Sequence, residues 1–324
     1  MNSALLSRAL QALLVVLVMT MIVFAGIHMI GNPVDILISP LADETERNRL
    51  ITTFGFDQPL WKQYWFFMQG ALHGNLGNSF VYNQPALGII LERLPATLEL
   101  AFAALLLAIV IGIPLGLYCG LRPDSLPART IMSVSILGFS LPGFWVGLIL
   151  IMFFAVYLGW LPSTGRGATE TLFGIKWSFL TRDGLAHLVL PAINLALFKV
   201  SMVLRLTRAG VREVVAMDYI KFARAKGLHP SRIVGVHILK NILIPLVTII
   251  GLEFGSTVAF AIVTESVFAW PGIGKLIIDS IQVLDRPVIV AYLMTVVVLF
   301  VFVNFTVDVA YLALDPRARG RAAR

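Results

Sequence analysis

Between two long apolar runs lies Asp218-Tyr-Ile-Lys-Phe-Ala-Arg-Ala-Lys-Gly-Leu-His-Pro-Ser-Arg232, and its reading decides how the chain is built. Leading into it, Val211, Val215, Tyr219 and Phe222 recur at i, i+4, i+8 and i+11, with Val214 beside them. That spacing is one stripe of an α-helix. Arg208, Arg212, Lys221 and Arg224 continue a basic face. Asp218 precedes Lys221 at i+3, a helical ion-pair spacing worth about 0.2–0.5 kcal/mol when exposed. Gly227 supplies the left-handed residue that ends a helix. His229-Pro230-Ser231 then opens a second short helix, with proline in a first turn that needs no N–H donor. Asn241-Ile-Leu-Ile-Pro245 returns the chain to apolar sequence. Basic loops often only satisfy charge asymmetry and anionic lipid. A helix, a glycine break at a defined place and a second helix are more than that role needs, and they predict an ordered docking elbow.

The sequence around the elbow is that of a membrane protein. Of 324 residues 58% are hydrophobic and only 13% charged, and the mean hydropathy is +0.87. Soluble domains carry roughly a quarter charged residues, so an ordinary soluble fold is excluded. The formal charge of +7 sits in short loops between apolar runs, which suits the positive-inside rule better than nucleic-acid binding. A single Cys119 excludes an intrachain disulfide and a cysteine-rich metal site. After Met1–Arg8 the chain is apolar from Ala9 to about Ile30, longer than the roughly 7–15 apolar residues of a signal peptide. It is read as a retained first span.

A helix crossing roughly 30 Å of hydrocarbon needs about 20 apolar residues. Six segments qualify: 10–30, 98–120, 131–158, 185–204, 242–267 and 287–312. With the N-terminus in the cytoplasm, that side holds Arg8, Arg122 and Arg129, the basic residues from Arg205 to Lys240, and the tail arginines Arg317, Arg319, Arg321 and Arg324. The opposite side holds fewer basic residues over longer segments. An all-α membrane protein with six transmembrane helices and both termini cytoplasmic follows. The domains read as a first transmembrane helix (1–30), an external segment (31–95), a core of five spans (96–315) with a cytoplasmic loop at 205–241, and a basic tail (316–324). In the external segment Trp61, Tyr64, Trp65 and Met68 fall on one face of a short helix suited to the headgroup zone.

Six polar residues fall at membrane depth: Glu99, Lys199, Glu253, Glu265, Asn304 and Asp308. An ionised group at the bilayer centre costs about 2.5–3.5 kcal/mol on insertion scales, so it faces a cavity or a partner. Glu99 and Glu265 lie near span ends and are read as reaching water. Lys199 and Glu253 fall deeper and are the candidates for lining a translocation path, with an interhelical ion pair as the alternative.

Ordered motifs extend over most of the chain: Phe54-Gly-Phe-Asp-Gln-Pro-Leu-Trp61, Gly74-Asn-Leu-Gly77, Glu92-Arg-Leu-Pro-Ala-Thr-Leu-Glu-Leu100, Leu141-Pro-Gly-Phe-Trp145 and Tyr157-Leu-Gly-Trp-Leu-Pro162. After the elbow come His237-Ile-Leu-Lys-Asn-Ile-Leu-Ile-Pro245, Glu265-Ser-Val-Phe-Ala-Trp-Pro-Gly-Ile-Gly274 and Leu314-Asp-Pro-Arg317. In order and spacing they resemble the peptide/nickel branch of ABC importer permeases, the B-type subunit of dipeptide and oligopeptide systems, with a type I importer permease fold. The elbow resembles the family's EAA loop, although Lys221, Phe222 and Ala223 stand where the general pattern has Glu-Ala-Ala. Gly31-Asn-Pro33 likewise stands where the family usually has Gly-Asp-Pro.

The resemblance implies a subunit of the bacterial cytoplasmic (inner) membrane that forms half a pore with a second homologous permease. Two ATP-binding subunits sit below, and an external solute-binding protein delivers di- or oligopeptides or related small solutes. Asp218, Ala223, Arg224, Ala225, Lys226, Gly227, Leu228, His229, Pro230 and Ser231 would couple to an ATPase. The partners would include membrane lipid and no nucleic acid. A phosphate-cradling loop needs Gly, four residues, then Gly-Lys-Ser/Thr, and the only Gly-Lys is Gly274-Lys275, followed by Leu276. ATP and Mg therefore belong to the partner subunits, and this chain is expected to hold no cofactor, no metal and no catalytic residues. A stand-alone ion-coupled secondary transporter is the alternative, with Lys199, Glu253 or Asp308 as its proton-linked group.

Overall fold

A computed structural model describes residues 2–29, 45, 52 and 57–314. Its helices are α1 (Asn2–Met29), α2 (Leu60–Leu72), α3 (Ala86–Leu121), α4 (Leu126–Ser140), α5 (Gly143–Leu150), α6 (Arg182–Ala216), α7 (Asp218–Ala225), α8 (Pro230–Arg232), α9 (Lys240–Val267), α10 (Ile273–Gln282) and α11 (Arg286–Leu314). Wider π-helical turns, Ile151–Tyr157 and Ile233–Leu239, extend α5 and lead into α9.

Among the described residues four helices are long and apolar enough to cross a membrane: Ala86–Leu121, Arg182–Ala216, Pro245–Val267 and Arg286–Val307. The expectation of one continuous third span over 131–158 is corrected. Leu126–Ser140 and Gly143–Tyr157 form a pair bent by 105°, which makes the spans five if the pair counts as one. The cause is local. Leu141 precedes a proline and is driven to extended backbone, φ −81 and ψ 135. Within α1 the apolar stretch Leu10–Gly26 is shorter than a span.

The all-α expectation needs a second amendment. An antiparallel hairpin pairs β1 (Glu170–Leu172) with β2 (Ile175–Trp177). Phe173 and Gly174 both take positive φ (54 and 77), the geometry of a tight two-residue turn. No apolar alternation advertised it, because all but the half-buried Trp177 of the strand residues are exposed.

The described chain divides into two compact units. The larger holds 93–276 and is held together by close backbone approach and by buried polar ties. Gly112, Gly116 and Gly120 fall four residues apart on α3 and face Val203, Thr207 and Val211 of α6. A Cβ at Gly116 would lie 2.5 Å from Thr207 Cβ and 2.7 Å from the Leu204 carbonyl. Small residues let helices meet this closely where apolar lipid gives no hydrophobic drive.

Glu99 and Glu265 do not reach water, contrary to the sequence expectation. Glu99 is 5% exposed and Glu265 fully buried. One oxygen of Glu99 accepts the Ser178 and Phe179 amides at 2.8 and 2.7 Å, and the other accepts the Arg166 guanidinium at 2.9 Å. Glu265 accepts the Thr97 hydroxyl at 2.6 Å and the Lys275 amide at 2.9 Å. Thr97 Oγ1 in turn accepts the Ile273 amide at 2.9 Å. The carboxylate thus fastens the start of α10 to α3, and Gly272 and Gly274 leave it room, since a Cβ at either would strike it. Trp270, also buried, donates its indole N–H to the Ala96 carbonyl at 2.9 Å. Proximity to the span ends misled the reading, because the segments beyond fold back over both acids.

The smaller unit holds 6–92 and 277–301. Val23, Val290 and Met294 form its buried cluster, with Phe67 and Leu76 packed against it. The Tyr64 and Thr20 hydroxyls share a hydrogen bond of 2.8 Å, and Phe24 meets the Tyr64 ring edge-on at 5.3 Å. The aromatic face expected on α2 is therefore split: Tyr64 and Met68 are half-buried, while Trp61 and Trp65 are 68% and 60% exposed. Buried Asp285 accepts the Ser79 hydroxyl at 2.5 Å and the Phe80 amide at 3.2 Å.

Candidate functional site

The glycine break and the second short helix of the elbow form where the sequence reading expects them. α7 starts at Asp218, whose carboxylate accepts Lys221 Nζ at 2.9 Å on the exposed surface. It ends at Ala225, and Gly227, with φ +73, turns the chain away two residues on. The Gly227 amide donates to the Arg224 carbonyl at 2.9 Å and the Leu228 amide to the Ala223 carbonyl at 3.3 Å. These two bonds make a Schellman closure, which occupies carbonyls a helix end would otherwise leave open. His229 caps α8: its Nδ1 accepts the Ser231 amide at 3.4 Å and lies 2.7 Å from the Ser231 hydroxyl. Pro230 takes the first helical position.

Its two faces differ in kind. Ile220 and Ala223 point inward and join Val211, Val214, Ile233, Ile238, Ile242 and Leu246 in one buried apolar cluster, with Leu228 packed against it. Outward lie Asp218, Tyr219, Lys221, Phe222, Arg224, Ala225, Lys226, Gly227, His229, Pro230 and Ser231. Phe222 is 61% exposed, with Lys226 Nζ 4.6 Å from its ring centroid. Of the residues expected to couple, Ala223 is therefore an inner packing residue, and Tyr219 and Phe222 are surface residues that the expectation left out. The stripe at Val211, Val215, Tyr219 and Phe222 hid this. The helix breaks at Met217, whose extended ψ of 147 rotates the face that follows.

Lys199 and Glu253 are brought together. Lys199 Nζ of α6 lies 2.5 Å from Glu253 Oε2 of α9 and 3.0 Å from Ser256 Oγ. The lysine side chain is 8% exposed and that of the glutamate 26%. Ser256, one helical turn beyond Glu253, stands 2.9 Å from the same carboxylate oxygen. Its i+3 spacing was visible in the sequence, but nothing there set it apart from other serines. Asn194 Nδ2 donates to Thr264 Oγ1 at 3.0 Å between the same two helices. The side chain of Asp308 falls outside the described residues.

Residues 112–320 match the family described as binding-protein-dependent transport system inner membrane component, and residues 1–101 match its N-terminal component. The di/tripeptide transport system permease protein DppB of Pseudomonas aeruginosa is 40% identical over 318 residues, covering 93% of this chain and 94% of its own. The dipeptide transport system permease protein DppB of Escherichia coli K12 is 36% identical over 319 residues, with the same coverage. The glutathione transport system permease protein GsiC of that strain is 33% identical over 315 residues, 97% of this chain and 98% of its own. Among solved structures, an inward-facing conformation of the MetNI methionine ABC transporter superposes with a TM-score of 0.54 at 21% identity, over 71% of this chain and 98% of that one. That likeness concerns the fold.

Proposed function

The chain belongs to the family of binding-protein-dependent transport system inner membrane components, and from that premise we propose that its elbow receives an ATPase and its spans form half of a peptide pore. It is a permease subunit of an ABC importer in the inner membrane, and ATPase and solute-binding subunits complete the system. The second half of the pore is a homologous permease, and lipid surrounds both. ATP and Mg are held by two ATP-binding subunits, and this chain does no chemistry. Six spans, counting α1 and the bent pair, put both termini in the cytoplasm with the elbow, in keeping with the distribution of arginine and lysine. Small peptides as cargo are supported by relatives named for di- and tripeptides, dipeptides and glutathione, itself a tripeptide.

One observation carries the coupling role: the elbow buries Ile220 and Ala223 in the span cluster while it exposes Phe222 and Tyr219 among Lys221, Arg224 and Lys226. An outer face that is aromatic and basic suits an apolar cleft rimmed by acids. The inner face hands any displacement to the helices. The test is Phe222→Asp in the full complex reconstituted in liposomes with its binding protein. ATP-driven dipeptide uptake should be lost while the chain still inserts. Normal uptake would refute the docking role, and proton-driven uptake by the chain alone would make it an ion-coupled carrier.

A further inference from the structure

We infer that Lys199, Glu253 and Ser256 form a register pin that locks α6 to α9, so that the two helices and the elbow move as one lever. The consequence for transport rests on the coupling role proposed above, whereas the pin itself rests on geometry. α6 runs into the elbow at Met217 and α9 leaves it from Lys240. Three ties cross between them in antiparallel order: Asn194 to Thr264, then Lys199 to Glu253 and Ser256, then Gly210 against Ile242. Nearest the elbow, the apolar cluster of Val211, Ile220, Ile233 and Ile242 closes the hairpin.

The polar tie does something the apolar contacts cannot. Aliphatic side chains slide over one another at little cost in lipid, where the surroundings are equally apolar. A lysine that is 8% exposed and paired to one carboxylate permits a single register, because displacement by a helical turn would strand the charge. Fixing register is the best-attested use of a buried polar pair. Ser256 supports both charged groups from the same helix as Glu253, so the site keeps a partner for Lys199 when the glutamate side chain fluctuates. The pin sits partway up the hairpin, far enough from the elbow that a push there turns the span instead of bending its end.

The experiment places spin labels at Leu185 and Val263, exposed positions beyond the pin on the two helices, in the whole complex. In the parent protein the distance distribution should be narrow and identical in the nucleotide-free and vanadate-trapped states. K199M should broaden it in both states and shift it on trapping, and cut dipeptide moved per ATP hydrolysed about tenfold. K199E alone should do the same, and the exchanged pair K199E with E253K should restore the narrow distribution. A parent distance that changes on trapping, or a K199M distribution unchanged from the parent, overturns the pin. A change confined to the uptake KM overturns it too, and would assign the two residues to the path. Failure of the ATPases to bind would sink the coupling role alone, since the nucleotide-free distribution still reads the pin.

Discussion

Gly227 holds a positive φ with open space around its missing side chain, so its conformation alone demands glycine. Gly227→Ala should destabilise the Schellman turn by about 1–2 kcal/mol, seen as faster hydrogen exchange at the Leu228 amide with the spans unaffected. Gly116 is the opposite case, since space is what it lacks. Gly116→Ala forces a methyl against Thr207 and the Leu204 carbonyl, and should cost about 1–3 kcal/mol of overpacking, read as a lower melting temperature of the purified chain. Glu265→Ala removes the acceptor of the buried Thr97 hydroxyl and of the Lys275 amide, a loss of about 1–3 kcal/mol for the buried hydroxyl. The Lys275 amide should then exchange faster, while Glu99→Ala should loosen Ser178 and Phe179 and spare Lys275. Gly227 was legible as a helix end because its job is local. The roles of Gly116 and Glu265 depend on which distant residue lies opposite, and one sequence does not record that.

At the scale of elements, legibility followed the same division. Four of the apolar runs were found as single long helices because a span is a property of continuous composition, and the glycine end of α7 because caps are written within a few residues, whereas the break at Met217 was hidden by the stripe that crosses it. The bend between α4 and α5 was written too, at Leu141-Pro142, but a proline inside an apolar run is tolerated in many membrane helices and did not by itself decide between a kink and a break. The hairpin at 170–177 and the burial of both glutamates depended on loops folding back, which hydropathy does not report. Disrupting the elbow's inner face should differ from disrupting its outer face. Ile220→Asp should lower the folded yield of the chain, whereas Phe222→Asp should leave the yield intact and abolish ATPase binding, as measured by co-purification.

For the whole molecule, the family is set by matches that span nearly the entire chain, and the six-span arrangement makes a prediction about sidedness. Single cysteines at Arg224 and at Phe173, which is 93% exposed at the hairpin tip, should react with an impermeant maleimide from opposite sides in a Cys119→Ala background. Labelling of both from one side would refute the six-span arrangement.

The ties between α6 and α9 join neighbours along the chain, with only the elbow between them. A nascent polypeptide released as far as residue 267 already contains every group those ties require. The polar ties span 54 and 70 residues, all of them synthesised by that point. The α6–α9 hairpin can therefore close during biosynthesis before α10 and α11 are made.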